Sequence, residues 1–535
     1  MKALIVCIMF CLIFPQGLTC MTYYVSPAGN DSNPGTYILP WQSISKAAST
    51  LIAGDTVLIR DGTYQEQVLP VNSGSPGNFI VYAAFPGENP VVNGDTVTVS
   101  IWGGLWELYQ IDFIAIYGIT VINSKAAGII AEECNHLLFR KNFTHNTVSS
   151  GVAVWTGSHV LVDSNIVELA CNDGEQECIT LSNVDSFEIC YNHVLDGGPG
   201  TQGGEGIDVK EGCSNGSIHH NIVHDLNRLG IYVDAWDQHT YNIEVYNNLV
   251  YHCAAYGFVL ASEAGGLLEN IEIYNNIAYD NKYIGFSISG HGQPVPHHPI
   301  HNVVLINNTA FKNGWASAGW GGGINIEESA EVENIVIRNN ICSRNLSFQI
   351  ADEVGVGSQL TVDHNLIDGF RNYPGEMYGH DSVVGDPQFI DTLNYDLHIA
   401  QSSPAIDQGS SVFAPGFDYD ENPRPSGNGY DIGAYEYQST GVEEADTRSI
   451  QNYLSDLSIY VGNSRIIFSY FLNQETPVEI KVFNILGQLL LINNNGLQNK
   501  GFNQLEIDKP NSPGVYFFKF SFIDREYFYK LNLIN

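Results

Sequence analysis

From about residue 118 to 369 the chain repeats a short alternation of apolar and polar positions. Each unit opens on glycine or an equivalent residue and alternates onward: GIIAE, GVAVW, CITLS, GIDVK, GIYVD, GFVLA, GFSIS and GINIE. A variable loop follows, then a second alternating run that ends near Asn-Asn, as in NIEVYNNLVYH, NIEIYNNIAYD and NVVLINNTAFK. The period of two within a run predicts strands, and recurrence every 23–32 residues predicts one coil of a parallel β-helix per unit. Asparagine falls at the same point of successive coils, at Asn142, Asn165, Asn192, Asn221, Asn248, Asn276, Asn308, Asn340 and Asn365. Amides in register predict an internal hydrogen-bonded ladder, so these asparagines are read as structural.

Before the repeat, residues 22–63 predict a strand, a Gly/Asn/Pro loop, a helix at about 43–52 and a further strand. Ser43 or Ser45 is the candidate cap, and Ile44, Ala47, Ala48 and Leu51 form one apolar face. Such a helix covers strand edges at the open end of a β-helix. The wording YYVSPAGNDSNPGT…PWQSISKAASTLIAGDTVLIRDGTY resembles the opening segment of secreted parallel β-helix proteins of the pectin-lyase-like superfamily. After residue 370, YGHDSVVGDPQFID and DIGAYEY resemble the segment that closes such helices, which sets a boundary near 438. Residues 439–455 are polar and aperiodic, as a linker is. Residues 456–535 alternate again, predict a small antiparallel β-sandwich, and resemble the C-terminal sorting domain read by the type IX secretion system. The expected fold is therefore all-β: a right-handed parallel β-helix over 21–438, followed by a small C-terminal β-sandwich. The type IX machinery is the partner that the second resemblance implies.

Composition narrows the partners. Lys+Arg 22 against Asp+Glu 58 gives a net charge of −36, which repels nucleic-acid phosphates and anionic membranes. Nucleic acid is excluded as a partner. A neutral glycan or Ca²⁺ suits this charge, and so does solubility alone. The first 20 residues, MKALIVCIMFCLIFPQGLTC, predict a signal peptide and hence a secreted or cell-surface protein. No other apolar stretch approaches the roughly 18–20 residues that cross a bilayer. Beyond Cys7, Cys11 and Cys20 the chain has Cys134, Cys171, Cys178, Cys190, Cys213, Cys253 and Cys342, with no CxxC spacing. Neither a zinc knuckle nor a full disulfide framework is signalled, and Cys171 with Cys178, which bracket a polar loop, is the candidate pair.

The chemistry gathers at residues 203–268. Aligning the coils on their leading residue puts Ile130, Ala153, Thr180, Asp208, Tyr232, Val259, Ser287 and Asn325 in one outward row. Glu132, Trp155, Ser182, Lys210, Asp234, Ala261, Ser289 and Glu327 form a second. Asp208, Lys210 and Asp234 then share a face, with Glu263 one coil further on. Carboxylates one or two rungs apart lie about 5–10 Å from each other, the range glycosidases use. Tyr232, Trp236, His239, Trp155 and Trp320 are candidate sugar-binding side chains, because aromatic faces beside carboxylates suit a glycan groove. Glu175 and Glu177 lie one coil earlier and are placed to reach the same face.

Glu205, Asp208, Asp234 and Asp237 are also hard oxygen donors. Asp234-Ala235-Trp236-Asp237 resembles the Asp-x-Trp-Asp run of polysaccharide lyase family 9, which implies bound Ca²⁺ with Glu205 and Asp237 among its ligands, and a lysine base. That lysine follows Gly-Phe on the next coil, whereas this chain reads Gly257-Phe258-Val259. No nucleotide loop, Gly-x-Ser-x-Gly or HExxH occurs, so no organic cofactor is signalled. The sequence thus favours a glycoside hydrolase built on Asp208, Asp234 and Glu263, with Lys210 as electrostatic partner. A Ca²⁺-dependent pectate-like lyase and a non-catalytic glycan-binding adhesin are the alternatives.

Overall fold

The computed structural model describes residues 20–199, 202–290, 292–327 and 330–438, together with Glu475 and the strands between 454 and 533. The expected signal peptide and most of the expected linker lie outside the described residues. The chain divides into two compact units, 1–439 and 440–535. The first is a parallel β-helix of about 11 turns. Its strands form a 20-stranded and a 13-stranded parallel sheet.

Alternation decides what each strand buries. Ile207, Val209, Ile231, Val233, Phe258 and Leu260 point into the helix and are at most 1% exposed. The asparagine ladder forms inside the same stack: Nδ2 of Asn142 donates to Oδ1 of Asn165 at 3.0 Å, and the pattern continues through Asn340 to Asn365 at 3.0 Å. Each amide also accepts from the backbone N–H of the preceding ladder residue, as in Asn248 N to Asn276 Oδ1 at 3.0 Å. The first asparagine of each pair has a different duty. Asn275, Asn307 and Asn339 adopt φ of 54°, 55° and 54°, a left-handed bend that asparagine tolerates. Their outward amides hold the closing segment, donating to Phe417 O at 2.8 Å, Asp431 O at 2.9 Å and Ser410 O at 2.8 Å. The Asn-Asn repeat therefore serves the interior and the closing strap at once.

The capping helix spans Ile44–Ala48, shorter than expected, with Ser43 Oγ accepting from Lys46 N at 3.1 Å. Ser49 and Thr50 hydroxyls donate back to Lys46 O at 3.0 and 2.6 Å, which satisfies that carbonyl outside the helical pattern and ends the helix. Cys171 and Cys178 are free thiols, not a disulfide, and both are fully buried in the main apolar core. Among the described residues no helix is long and apolar enough to cross a membrane. The second unit has antiparallel strands in a three-stranded and a four-stranded sheet.

Candidate active site

Three short parallel strands, Ile207–Lys210, Ile231–Asp234 and Phe258–Ala261, build the acidic face. Their register sets Asp208 beside Tyr232 and Val259, and Lys210 beside Asp234 and Ala261. The two aspartates are therefore diagonal neighbours. The face is not open, as an exposed groove would be: Asp208 and Asp234 are 2% exposed, Glu205 3% and Tyr232 7%. Loop side chains fold over it. Glu177 accepts from Lys210 Nζ at 2.6 Å and from Thr180 Oγ1 at 2.9 Å, while Lys210 sits 3.5 Å from Asp208. Glu205 is gripped by Arg228 through Nε at 2.9 Å and Nη2 at 2.7 Å. Glu263, half-buried, accepts from the Tyr232 hydroxyl, and its own backbone N–H donates to Asp234 Oδ1 at 3.2 Å.

Burial of many carboxyls with few cations sets the electrostatics. Asp234 is raised to about 7, first by burial and then by the charge of Glu263, against hydrogen bonds from the Trp236 and Glu263 backbones. Burial also pushes Asp208 well above the carboxylate range; Lys210 opposes this, and Glu177, Asp234 and Glu205 add to it. For Lys210 burial works against the charge, but Glu177 and Asp208 outweigh it and hold the ammonium above its ordinary value. The face thus holds a locked cation, a carboxyl that keeps its proton close to neutrality, and the Glu263 carboxyl beside it. Asp208 belongs to the Lys210–Glu177 cluster, whereas Asp234 adjoins Glu263, whose backbone N–H it accepts.

The other expected residues part company. Asp237 is exposed and accepts from Gln238 Nε2 at 2.9 Å, outside the cluster, because the turn after Asp234 carries it outward. His239 faces Glu269 at 3.1 Å and stacks on Tyr241, away from the carboxylates. Trp236 lies in the same turn, at φ 47°, with its carbonyl accepting from Gly266 N at 2.7 Å. Tyr232 is no exposed sugar platform; Val259 and Ala261 cover its ring and Glu263 its hydroxyl. Trp320 sits several coils on, donating to the Tyr373 hydroxyl at 3.0 Å and packing beside Phe348. Trp155 lines a cleft of about 170 Å³ with Trp102, Ile130, Asp173 and Glu175, on the same face but on earlier coils. A larger cleft, of about 450 Å³, runs along Asn242, Asn270, Asn302 and Asn334 and holds none of the acidic cluster.

Val259, where the lyases place their base, is 4% exposed and packed on Tyr232. The donors present do not fit Ca²⁺. Among the described residues only Glu205 Oε2 and Asp208 Oδ1 are buried carboxylate oxygens of this cluster without partners, Asp237 faces away, and Arg228 and Lys210 already neutralise their neighbours. An ion of this kind takes six to eight oxygens. Arg228 gave no sequence signal, because it lies in a variable loop outside the strand alternation.

The stacked coils and their two parallel sheets define a parallel β-helix. Residues 23–220 match the family described as Pel9A-like, right handed beta helix region. YwoF of Bacillus subtilis (strain 168), described as uncharacterized, is 28% identical over 435 residues, which are 71% of this chain and 91% of that protein. Pectate lyase PEL9 of Emericella nidulans is 27% identical over 154 residues, 26% of this chain and 37% of that enzyme. Among solved structures, pectate lyase Pel9A aligns at 18% identity over 78% of this chain and 97% of its own, with a TM-score of 0.46. The complex of XylC with xylose aligns at 13% identity over 91% and 100%, with a TM-score of 0.49.

Proposed function

We propose that the protein is an extracellular enzyme that hydrolyses glycosidic bonds of a polysaccharide or oligosaccharide. The observation that carries this reading is the buried Asp234 carboxyl, raised to about 7 beside Glu263. Glycoside hydrolysis needs one carboxyl that gives a proton to the leaving oxygen and a second, ionised, that acts as base or nucleophile. Asp234 suits the first role near neutral pH. Glu263, oriented by the Tyr232 hydroxyl and less buried, suits the second. Lys210 and Glu177 hold the charge balance beneath them. A polysaccharide as substrate is supported by the Pel9A-like match and by the named activity of the PEL9 relative.

A Ca²⁺-dependent lyase is the second reading, supported by the same match. Against it, β-elimination needs an unprotonated base near the sugar, and Lys210 is pinned as a cation while Val259 offers none. A panel of polysaccharides separates the readings. Reducing ends without the ultraviolet absorbance of an unsaturated uronate, unaffected by chelator, mark a hydrolase. Conjugated absorbance lost with chelator marks a lyase, and tight binding without product marks an adhesin. Full turnover in both Asp234→Asn and Glu263→Gln would refute the site. In the same reading, residues 456–535 are the type IX sorting domain, and deleting them abolishes export without abolishing cleavage in lysates.

A further inference from the structure

The second strand of two successive coils carries a different set of donors. Glu188 and Cys190 lie two residues apart on Ile179–Cys190, so both side chains leave the same side of the strand. His219, on Ser214–His219, is directly paired with Cys190 across the sheet. One carboxylate oxygen, the Cys190 Sγ and one imidazole nitrogen all lie within 4.8 Å of one another. His219 Nε2 is 3.2 Å from Glu188 Oε1. The ring is fixed from its other edge by His220, Nδ1 to Nδ1 at 2.8 Å, and by stacking on Tyr246 at 4.7 Å. Cys190 and His219 are buried, and Glu188 opens the cluster to solvent. Asp163, the other neighbour of Cys190, is held by Arg140 at 2.6 Å and is not a ligand.

We propose that Glu188, Cys190 and His219 bind one zinc-type divalent ion, with a fourth, tetrahedral position open to water. Thiolate and imidazole are ligands that select Zn²⁺ or Co²⁺ over Ca²⁺ and Mg²⁺. On binding, the Cys190 thiol releases its proton to solvent, and thiolate, carboxylate and dication sum to zero charge. Metal–ligand bonds of about 2.0–2.3 Å set the donors roughly 3.5 Å apart, so Glu188 and His219, now 3.2 Å from each other, separate slightly while the longer distances, all within 4.8 Å, close. His219 coordinates through Nε2, keeps its proton on Nδ1 and donates it to His220. His220 in turn directs its Nε2–H at Glu421, 3.2 Å away. Partners of this kind fix the tautomer of a metal-bound histidine.

Titration of the purified full-length protein with Co²⁺ tests the site independently of any activity. One equivalent is expected to produce a thiolate-to-cobalt charge-transfer band and the visible bands of tetrahedral Co²⁺, both bleached by Zn²⁺. Cys190→Ser abolishes the charge-transfer band. Glu188→Gln, at an exposed position that does not threaten the fold, weakens binding at least tenfold, and His220→Phe weakens it roughly 10–100-fold. Asp234→Asn, on the acidic face, binds Co²⁺ as the native protein does. Absence of the band with Co²⁺ in large excess, its survival in Cys190→Ser, or unchanged affinity in Glu188→Gln overturns the proposal.

Discussion

Replacing Asp234 by asparagine separates the two things that its burial does. Asparagine is nearly isosteric with a protonated aspartate and keeps the oxygen that accepts from the Glu263 backbone at 3.2 Å. Its carboxyl is raised from 3.8 to about 7 in the folded chain, by burial and by Glu263. A shift of about three units corresponds to about 4 kcal/mol. The sign follows from which state holds the proton. Below pH 4 both states are protonated and the favourable contribution is present in full. As pH rises through about 7, the unfolded carboxyl is already ionised and the folded one is forced to ionise in place, so the native protein loses that contribution. Asp234→Asn does not titrate. It should match the native protein near pH 4 and exceed it by up to about 4 kcal/mol at pH 8, measured as denaturant-induced loss of the β-helix signal. Cleavage should behave oppositely: native kcat/KM falls above about pH 7 as the acid ionises, and the variant is slow at every pH. A stability gap equal at pH 4 and pH 8, or a native protein that gains on the variant as pH rises, would refute an elevated Asp234 and with it the acid role.

Glu263→Gln should lower kcat about 10²–10⁴-fold with the fold intact by circular dichroism, since it removes the partner carboxyl and not a core contact. Lys210→Met leaves Glu177 and Asp208 buried without their cation and should cost about 3–5 kcal/mol, read as a lower denaturation midpoint. Asn276→Ala cuts the ladder where its amide bonds Asn248 and Asn308, leaving buried donors unsatisfied at about 1–3 kcal/mol each, so its loss should exceed that of an outward Asn270→Ala. Chelator should leave cleavage intact while removing Co²⁺ from the Glu188–Cys190–His219 site; loss of cleavage restored by Ca²⁺ would favour the lyase reading.

What was legible in the sequence follows from what is periodic. The register of Asp208, Tyr232 and Val259, and of Lys210, Asp234 and Ala261, is visible because strand alternation and the leading glycine repeat in every coil. The ladder was legible for the same reason. Enclosure was not. Glu177, expected to reach this face, and Arg228, which was not, come from loops whose lengths vary from coil to coil, and together they convert an expected open face into a buried ion network. His239 and Asp237 failed for a related reason: proximity in sequence to Asp234 says nothing once the turn at Trp236 redirects the chain. The outward asparagines that bind the closing strap have partners more than 100 residues away in two of the three cases, beyond the reach of any local pattern.

The departure at Val259 gains meaning from its surroundings. A lysine there would have to be buried against Tyr232, at a place now closed by Val259, Ala261 and Tyr256. The apolar packing instead presses Tyr232 into position, so that its hydroxyl reaches Glu263 and its ring helps exclude water from Asp234. Excluding water is what raises Asp234. On the proposed reading, the residue that stands at the lyase base position is thus part of the packing that raises Asp234. Val259→Ala is the substitution that reads it: by loosening the cover it should lower the upper limb of the pH–rate profile towards the ordinary carboxylate range, while leaving Glu263 and its hydrogen bond in place. An unchanged limb would show that Val259 does not set the acidity of Asp234.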